Sequence, residues 1–400
     1  MKITNLKCAV IGGQPTIRIA TDAGLSGFGQ VEWFKPYIKP QVLQLRDYII
    51  GEDPCDVERV MLKIRNMGGI KPWGSAVSAV EMALWDLAGK AADLPLYRLL
   101  GGKVRDRIRV YISGTRSGLN TSYAFTPEGI RKDLAETIND PADFSVIKYG
   151  IGFHSPMPFE LDDFFMGDAR PGPPHLNKGT LTDKGFRHCV DCVEAMVEAI
   201  DGKARLALDC GPGWTLSDAI RFAREMERFP ILWLEDLLTG DRSKHVGVAE
   251  YKELTRSTTT PIHTGEQIYL RQGFRELIES RAVRVIGPDP LDVGGLAELK
   301  WIAEFSDLYG IQIAPHGVFN GMLGLAAMVQ VCATLPDNLI AFEYCKPPTE
   351  WWPEIVDVFP EELIVDGHIK VWDRPGIGVT LNEEKTRPYL SSEDQDFFDD

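Results

Sequence analysis

With 400 residues, 44% of them hydrophobic and 25% charged, the chain has room for a large barrel plus a smaller partner domain and the composition of a soluble globular protein. Its 58 acidic residues outnumber 43 basic ones, for a net charge of −15, which argues against nucleic acid and anionic membranes, because those surfaces are bound through basic patches. A small anionic substrate is still allowed, since a divalent cation reverses the local field of an acidic pocket.

The chain opens with Met1-Lys2-Ile3-Thr4 in strand-like alternation. No basic leader precedes an apolar stretch, and no uncharged run has membrane-spanning length, so a cytoplasmic location is expected. Seven scattered cysteines fit reduced thiols there. Residues 3–33 read as a strand meander. Ile3–Ile11 and Thr16–Thr21 alternate, and Asp22-Ala23-Gly24 signals a turn. Gly27-Phe28-Gly29 leads into an aromatic-rich loop, Val31-Glu32-Trp33-Phe34. From Val42 to Ala92 the spacing predicts helices, ending in the strongly periodic run Ser78–Lys90. Strands followed by helices, without alternation, predict a small α+β domain over residues 1–104, with Pro95–Gly102 as its exit.

After Arg107 short β-branched runs alternate with helical stretches. The runs are Ile108–Ile112, Ser145–Lys148, Ala204–Leu208, Ile231–Leu234, Pro261–Thr264, Val283–Ile286, Ile311–Ala314 and Leu339–Phe342. Such strands, apolar on both faces, predict an α/β fold with a (β/α)8-type TIM barrel over residues 105–360. Gly152–Lys184, rich in Pro, Gly, Asp and Phe, reads as a long loop over the barrel mouth. Cys189 and Cys192 form a C-x-x-C beside His188. They lie in the helically spaced run Phe186–Ile200 with no second pair at zinc-site spacing, so a core helix is expected. Residues 361–400 close the chain, and the acidic tail 391–400 is expected to fray.

The residues that end these runs carry the chemistry, because barrel active sites lie at the C-terminal ends of the strands. The second run ends in Lys148, the third in Asp209, the fourth in Glu235 and the fifth in Glu266. The sixth ends in Asp289, the seventh in His316 and the eighth in Glu343. A single acid after a strand commonly caps the next helix, but an ordered set over strands two to eight calls for another reason. Carboxylates crowd a low-dielectric pocket only when something compensates them. Three on adjacent strands can share one hard cation, and an oxygen-only set favours Mg²⁺ over Zn²⁺.

These residues, together with Met82–Lys90, Leu99–Gly102, Asp366-Gly367-His368-Ile369 and Arg374–Val379, resemble the mandelate-racemase-like branch of the enolase superfamily. That branch includes many acid-sugar dehydratases, and the similarity spans nearly the whole chain. The resemblance implies that Asp209, Glu235 and Glu266 ligate Mg²⁺. It also implies that His316 is a general base paired with Asp289, and that Glu343 hydrogen-bonds the substrate carboxylate. It further implies that residues 361–400 return to complete the N-terminal cap, and that the protein forms symmetric homo-oligomers. Racemases of this branch carry Lys-x-Lys at the end of the second strand. Here Lys148 keeps the first position and Gly150 takes the second, so two-base racemisation is not expected. Gly211 likewise stands where some relatives place a second histidine.

One base suffices for β-elimination. His316 removes the proton alpha to the carboxylate and returns it to the departing 3-hydroxyl, while Lys148 orients or neutralises the carboxylate. The first reading is therefore a dehydratase of an aldonic or aldaric acid giving a 2-keto-3-deoxy acid. A racemase, epimerase or cycloisomerase using the same enolate is the second, and a metal-binding relative without turnover the third. Substrate contacts are expected from Trp33 above all, with Phe34, the insert residues His154 and His175, and Tyr344–Trp352 as further candidates.

Overall fold

The computed structural model describes the chain except residues 34, 68–73, 114–122, 171, 173–175, 239–246, 318–320, 347–348, 359, 361 and 400. Strands β1 (Ile3–Ile11), β2 (Gln14–Thr21) and β3 (Ser26–Gln30) form an antiparallel meander. On it lies the helix Ser75–Ala92, buried along nearly its whole length, with small and apolar residues on most of its faces. Gly27 and Gly29 make that contact possible. A Cβ at Gly29 would stand 2.0 Å from the Ala79 carbonyl oxygen, and one at Gly27 2.2 Å from that of Ala83. The two glycines thus bring strand and helix backbones together, and the stretch read as the approach to a loop is itself the third strand.

Eight parallel strands follow. They are β4 (Arg107–Ser113), β5 (Val146–Gly150), β6 (Arg205–Asp209), β7 (Ile231–Glu235), β8 (Ile262–Thr264), β9 (Val285–Ile286), β10 (Gln312–Ile313) and β11 (Phe342–Tyr344). They neighbour one another in chain order, and β11 pairs with β4. A parallel bridge from Ile313 to Leu339 and the Ile340 N–H donating to the Ile313 carbonyl at 2.9 Å close the ring. Every strand falls on or beside its predicted run. Inside the ring, Tyr111, Val146, Ala207, Trp233, Val285, Ala314 and Ala341 form their own small core. The far larger cluster fills the layer between strands and outer helices. Cys189 and Cys192 are buried in the helix Asp183–Ile200, as expected of a core helix. Among the described residues no helix is long and apolar enough to cross a membrane.

Two segments differ from expectation. The insert after β5 is anchored rather than loose. It contains a 3₁₀ turn at Gly152–His154 and a short helix at Met157–Glu160, and Phe153 packs edge-on against Phe164, Phe165 and Trp214. The acidic tail does not fray. Phe397 is buried, Asp394 pairs with Lys39 and accepts from the Val10 N–H at 2.8 Å, and the Asp399 carbonyl accepts from Arg18 at 2.9 Å. Basic side chains of the meander meet a tail whose charge pattern alone suggested repulsion.

The cap grips the barrel through the loop after β9. Glu81, on the long cap helix, accepts from the backbone N–H groups of Leu296 and Ala297 at 2.7 and 2.9 Å and from the Trp85 indole at 2.7 Å. It supplies from another domain the N-terminal cap that the helix Leu296–Leu308 lacks locally. The Ser78 hydroxyl accepts from the Gly294 N–H at 2.9 Å. Gly295, at φ +120°, leaves room for Glu81, whose Cδ would be 2.3 Å from any Cβ there.

Adding one methyl at the strand–helix contact tests this packing. Gly29→Ala is expected to lower stability by about 1–3 kcal/mol, the range for overpacking a well-packed core, read as a shift of the urea midpoint at unchanged slope. A midpoint within error of wild type would show that the helix is not held this closely.

Candidate active site

Strand alternation aims the site. Val146, Ala207, Trp233, Ala314 and Ala341 fill the barrel interior. Lys148, Asp209, Glu235, His316 and Glu343, each two positions further on, therefore project from the same inner face at the C-terminal rim. Glu266 and Asp289 follow β8 and β9 on the same rim.

Lys148, 1% exposed, stands among the acids. Its Nζ lies 2.5 Å from Glu235 Oε1, 3.0 Å from Glu343 Oε1 and 3.3 Å from Asp209 Oδ2. Below it is the ring of Tyr111, 5.8 Å from the ammonium, whose hydroxyl reaches Glu343 Oε2 at 3.4 Å. The Trp233 indole donates to Glu235 Oε2 at 2.9 Å. Across the mouth His316 Nδ1 is 2.7 Å from Asp289 Oδ2, while Asp289 Oδ1 accepts from the Leu291 N–H at 2.7 Å. With Nδ1 committed to Asp289, Nε2 faces the cavity, 3.1 Å from Glu266 Oε2 and 3.6 Å from Glu343 Oε2.

So much buried negative charge moves the titrations. Burial pushes the Glu235 carboxyl up to about 7, opposed by Lys148 and reinforced by Asp209 and Glu343. Burial likewise lifts Glu266 to about 7, opposed by His316 and reinforced by Glu235 and Asp209. Burial also acts on Asp209, but the charges of His154 and Lys148 outweigh it and hold that carboxyl down at about 2. For His316 burial disfavours the charged ring, yet Glu266, Glu343 and Asp289 hold it well above its ordinary range. His263, stacked on Trp233 at 5.3 Å, is driven down to about 3 by burial and then by Lys148, and stays neutral.

Among the described residues one group of side chains already has its ligand atoms gathered as a cation site needs. One ligand atom each from Glu32, Asp289 and His316 lie within 4.8 Å of one another, but that set contains an imidazole whose Nδ1 is already bonded to Asp289. Asp209, Glu235 and Glu266 offer only oxygens from three consecutive strand ends, and burial, reinforced by the neighbouring acids, makes Glu235 and Glu266 ionise poorly. A hard divalent ion fits that set.

The cap reaches the rim through a residue that the sequence reading passed over. Trp33 turns away, its indole donating to the Gly12 carbonyl at 3.0 Å. Its neighbour Glu32 is buried and faces the His316–Asp289 pair. Lys35 ties this loop down, 2.5 Å from Glu32 Oε2 and 2.7 Å from Asp292 Oδ2, and Ser75 donates to the other oxygen of Asp292. Asp292 lies three residues beyond Asp289, so the loop that holds His316 through Asp289 is also held by the cap. Phe34 and His175 lie outside the described residues. No periodicity marks Glu32; only its position beside an aromatic loop hinted at a role. Tyr111 was legible as an inward position of the first barrel strand.

A (β/α)8 barrel with a meander-and-helix cap carries, at the C-terminal rim, a ring of carboxylates with a His–Asp pair. Residues 12–101 match the mandelate racemase/muconate lactonizing enzyme N-terminal domain family, and residues 169–385 the enolase C-terminal domain-like family. The chain belongs to the enolase superfamily, in its mandelate racemase/muconate lactonizing branch. It is 32% identical to a D-xylonate dehydratase of Haloferax volcanii over 97% of this chain and 89% of that protein. It is 27% identical to a D-galactonate dehydratase of Variovorax paradoxus over 96% of this chain and 93% of that one. A mandelate racemase/muconate lactonizing enzyme-like protein from Rubrobacter xylanophilus superposes with a TM-score of 0.82 at 30% identity, covering 98% of each chain.

Mg²⁺ at a hundred times its dissociation constant is expected to stabilise the protein by about 2.7 kcal/mol through mass action. Asp209→Asn and Glu266→Gln should remove that gain, measured by thermal unfolding. The pH dependence has a definite sign. With the carboxyls of Glu235 and Glu266 raised from 4.5 to about 7 in the fold, the native state binds more protons than the unfolded chain across that window. Their contribution is present at acid pH and lost as pH rises through about 7. In metal-free buffer the melting point should therefore fall between about pH 5 and pH 8, with Mg²⁺ restoring most at the alkaline end. A metal-free profile that rises across the same window would contradict this electrostatic picture.

Proposed function

We propose that the protein is a Mg²⁺-dependent dehydratase of an acid sugar, an aldonic or aldaric acid, forming a 2-keto-3-deoxy acid. The carrying observation is the His316–Asp289 pair, whose Nε2 faces the carboxylate rim 3.1 Å from Glu266 Oε2, with Gly150 where a second base would stand. Relatives named D-xylonate and D-galactonate dehydratase support the same reading.

A proton alpha to a carboxylate is so weakly acidic that its removal requires charge compensation as the enediolate forms. Asp209, Glu235 and Glu266 would hold Mg²⁺, which when bound supplies that positive charge and offsets the Glu266 carboxylate now paired with His316 Nε2. Nε2 accepts the alpha proton, and Asp289 holds the imidazole through Nδ1 and stabilises the imidazolium. Lys148 is the fixed cation beside the substrate carboxylate, and Glu343, gripped by Lys148, Tyr111 and the Gly317 N–H at 3.3 Å, is its neighbouring acid. The electron pair of the broken C–H bond becomes the C2–C3 double bond as the C3–O bond breaks. His316 gives its proton to the departing hydroxide, and the enol tautomerises to the ketone.

A panel of aldonic and aldaric acids with Mg²⁺, read by semicarbazide trapping of 2-keto products, tests this. Product is expected with wild type and lost by at least about 10³-fold in His316→Asn, the scale of removing a general base, and equally with EDTA. Alpha-carbon deuterium exchange without keto product would instead favour an isomerase. Exchange that survives in His316→Asn would remove that residue from the base role.

A further inference from the structure

Gly150 leaves more than a missing lysine. The 3₁₀ turn Gly152–His154 that follows β5 brings the His154 ring back over that position. A Cβ on residue 150 would lie 2.6 Å from the His154 carbonyl oxygen and 3.4 Å from its ring Cδ2. A side chain at 150 and this course of the chain exclude each other. The turn is held by the His154 N–H donating to the Ile151 carbonyl at 3.1 Å and by the Ser155 hydroxyl donating to the Gly152 carbonyl at 2.7 Å. Buried Phe153 anchors it between Phe164, Phe165 and Trp214.

The imidazole is thus delivered to the rim by a rigid element. Its Nε2 lies 3.5 Å from Asp209 Oδ2, and the side chain stays 41% exposed. In the strand order β4 to β11, Asp209 ends β6 and His316 follows β10, four strands around an eight-strand ring. His154 therefore faces His316 across the mouth, beside the acid that ends β6.

We propose that His154 is a specificity-determining substrate contact, reading a hydroxyl on the polyol tail of the acid sugar from the side opposite His316. The inference rests on the acid-sugar reading, because a ligand without tail hydroxyls gives it nothing to bind. An imidazole N–H donates a hydrogen bond to a hydroxyl oxygen, and a site built to pair with a hydroxyl rejects ligands that lack it. Glycine at 150 clears the space, and the anchored insert fixes the ring.

Binding separates this role from the chemistry. Titration calorimetry of the Mg²⁺-loaded protein would compare a five- or six-carbon aldonic acid with lactate, which has the same carboxylate and 2-hydroxyl but no tail. His154→Ala should weaken the aldonic acid about tenfold, the effect of losing one hydrogen bond, and leave lactate unchanged. His154→Gln, which can still hydrogen-bond, should recover to within about threefold. Turnover of acids epimeric at one tail carbon should show a narrowed preference in the alanine variant. If both ligands weaken equally, His154 acts through Asp209 and the proposal fails. It fails also if neither ligand weakens, or if wild type binds aldonic acid no better than lactate. A wild type that binds aldonic acid without forming keto product would overturn the dehydratase reading alone.

Discussion

The crowding of carboxylates at the C-terminal rim of the barrel is the constraint on which the rest of the structure depends. Asp209, Glu235, Glu266, Asp289 and Glu343 end consecutive or neighbouring strands, with one lysine ammonium among three of them. Burying charge costs several kcal/mol per ion unless it is paired, and Lys148 cannot neutralise all of them. The raised Glu235 and Glu266 carboxyls express that burial and crowding, and a divalent ion held there would offset it. The titrations of the acids and of His316 are thus set by the same local charge balance.

The cap is tied to that balance mechanically. Asp289, which orients His316, begins a loop whose Asp292 is held by Lys35 and Ser75 and whose Gly294 and Leu296 are held by Ser78 and Glu81. All four holding residues come from the cap. A helix buried on nearly every side has no freedom to shift without moving the loop it caps, so the His316–Asp289 pair is positioned jointly by cap and barrel. Glu32, between cap and dyad, places a further buried acid beside Asp289 and His316.

Much of this was legible in the residues. The eight strands announced themselves as short β-branched runs because parallel strands are buried on both faces, and the strand-end acids stood out because each follows a run at the end where barrel sites lie. The helix carrying Cys189 and Cys192 followed from its spacing. Less legible were Glu32 and the docked tail, since both depend on partners distant in sequence: Glu32 on a loop some 260 residues away, the tail on Lys7, Arg18 and Lys39. Trp33 drew attention as an aromatic beside a predicted mouth, but its indole found a backbone carbonyl in the cap.

Sequence by itself determined the barrel, the order of polar residues around its rim and the absence of a second lysine, because each follows from short-range periodicity and the chemistry of single residues. Only the tertiary structure decided what fills the gap at Gly150, which cap residue reaches the dyad and how the insert is held. Those are questions of which distant backbones approach within a few ångströms, and local pattern carries no record of that.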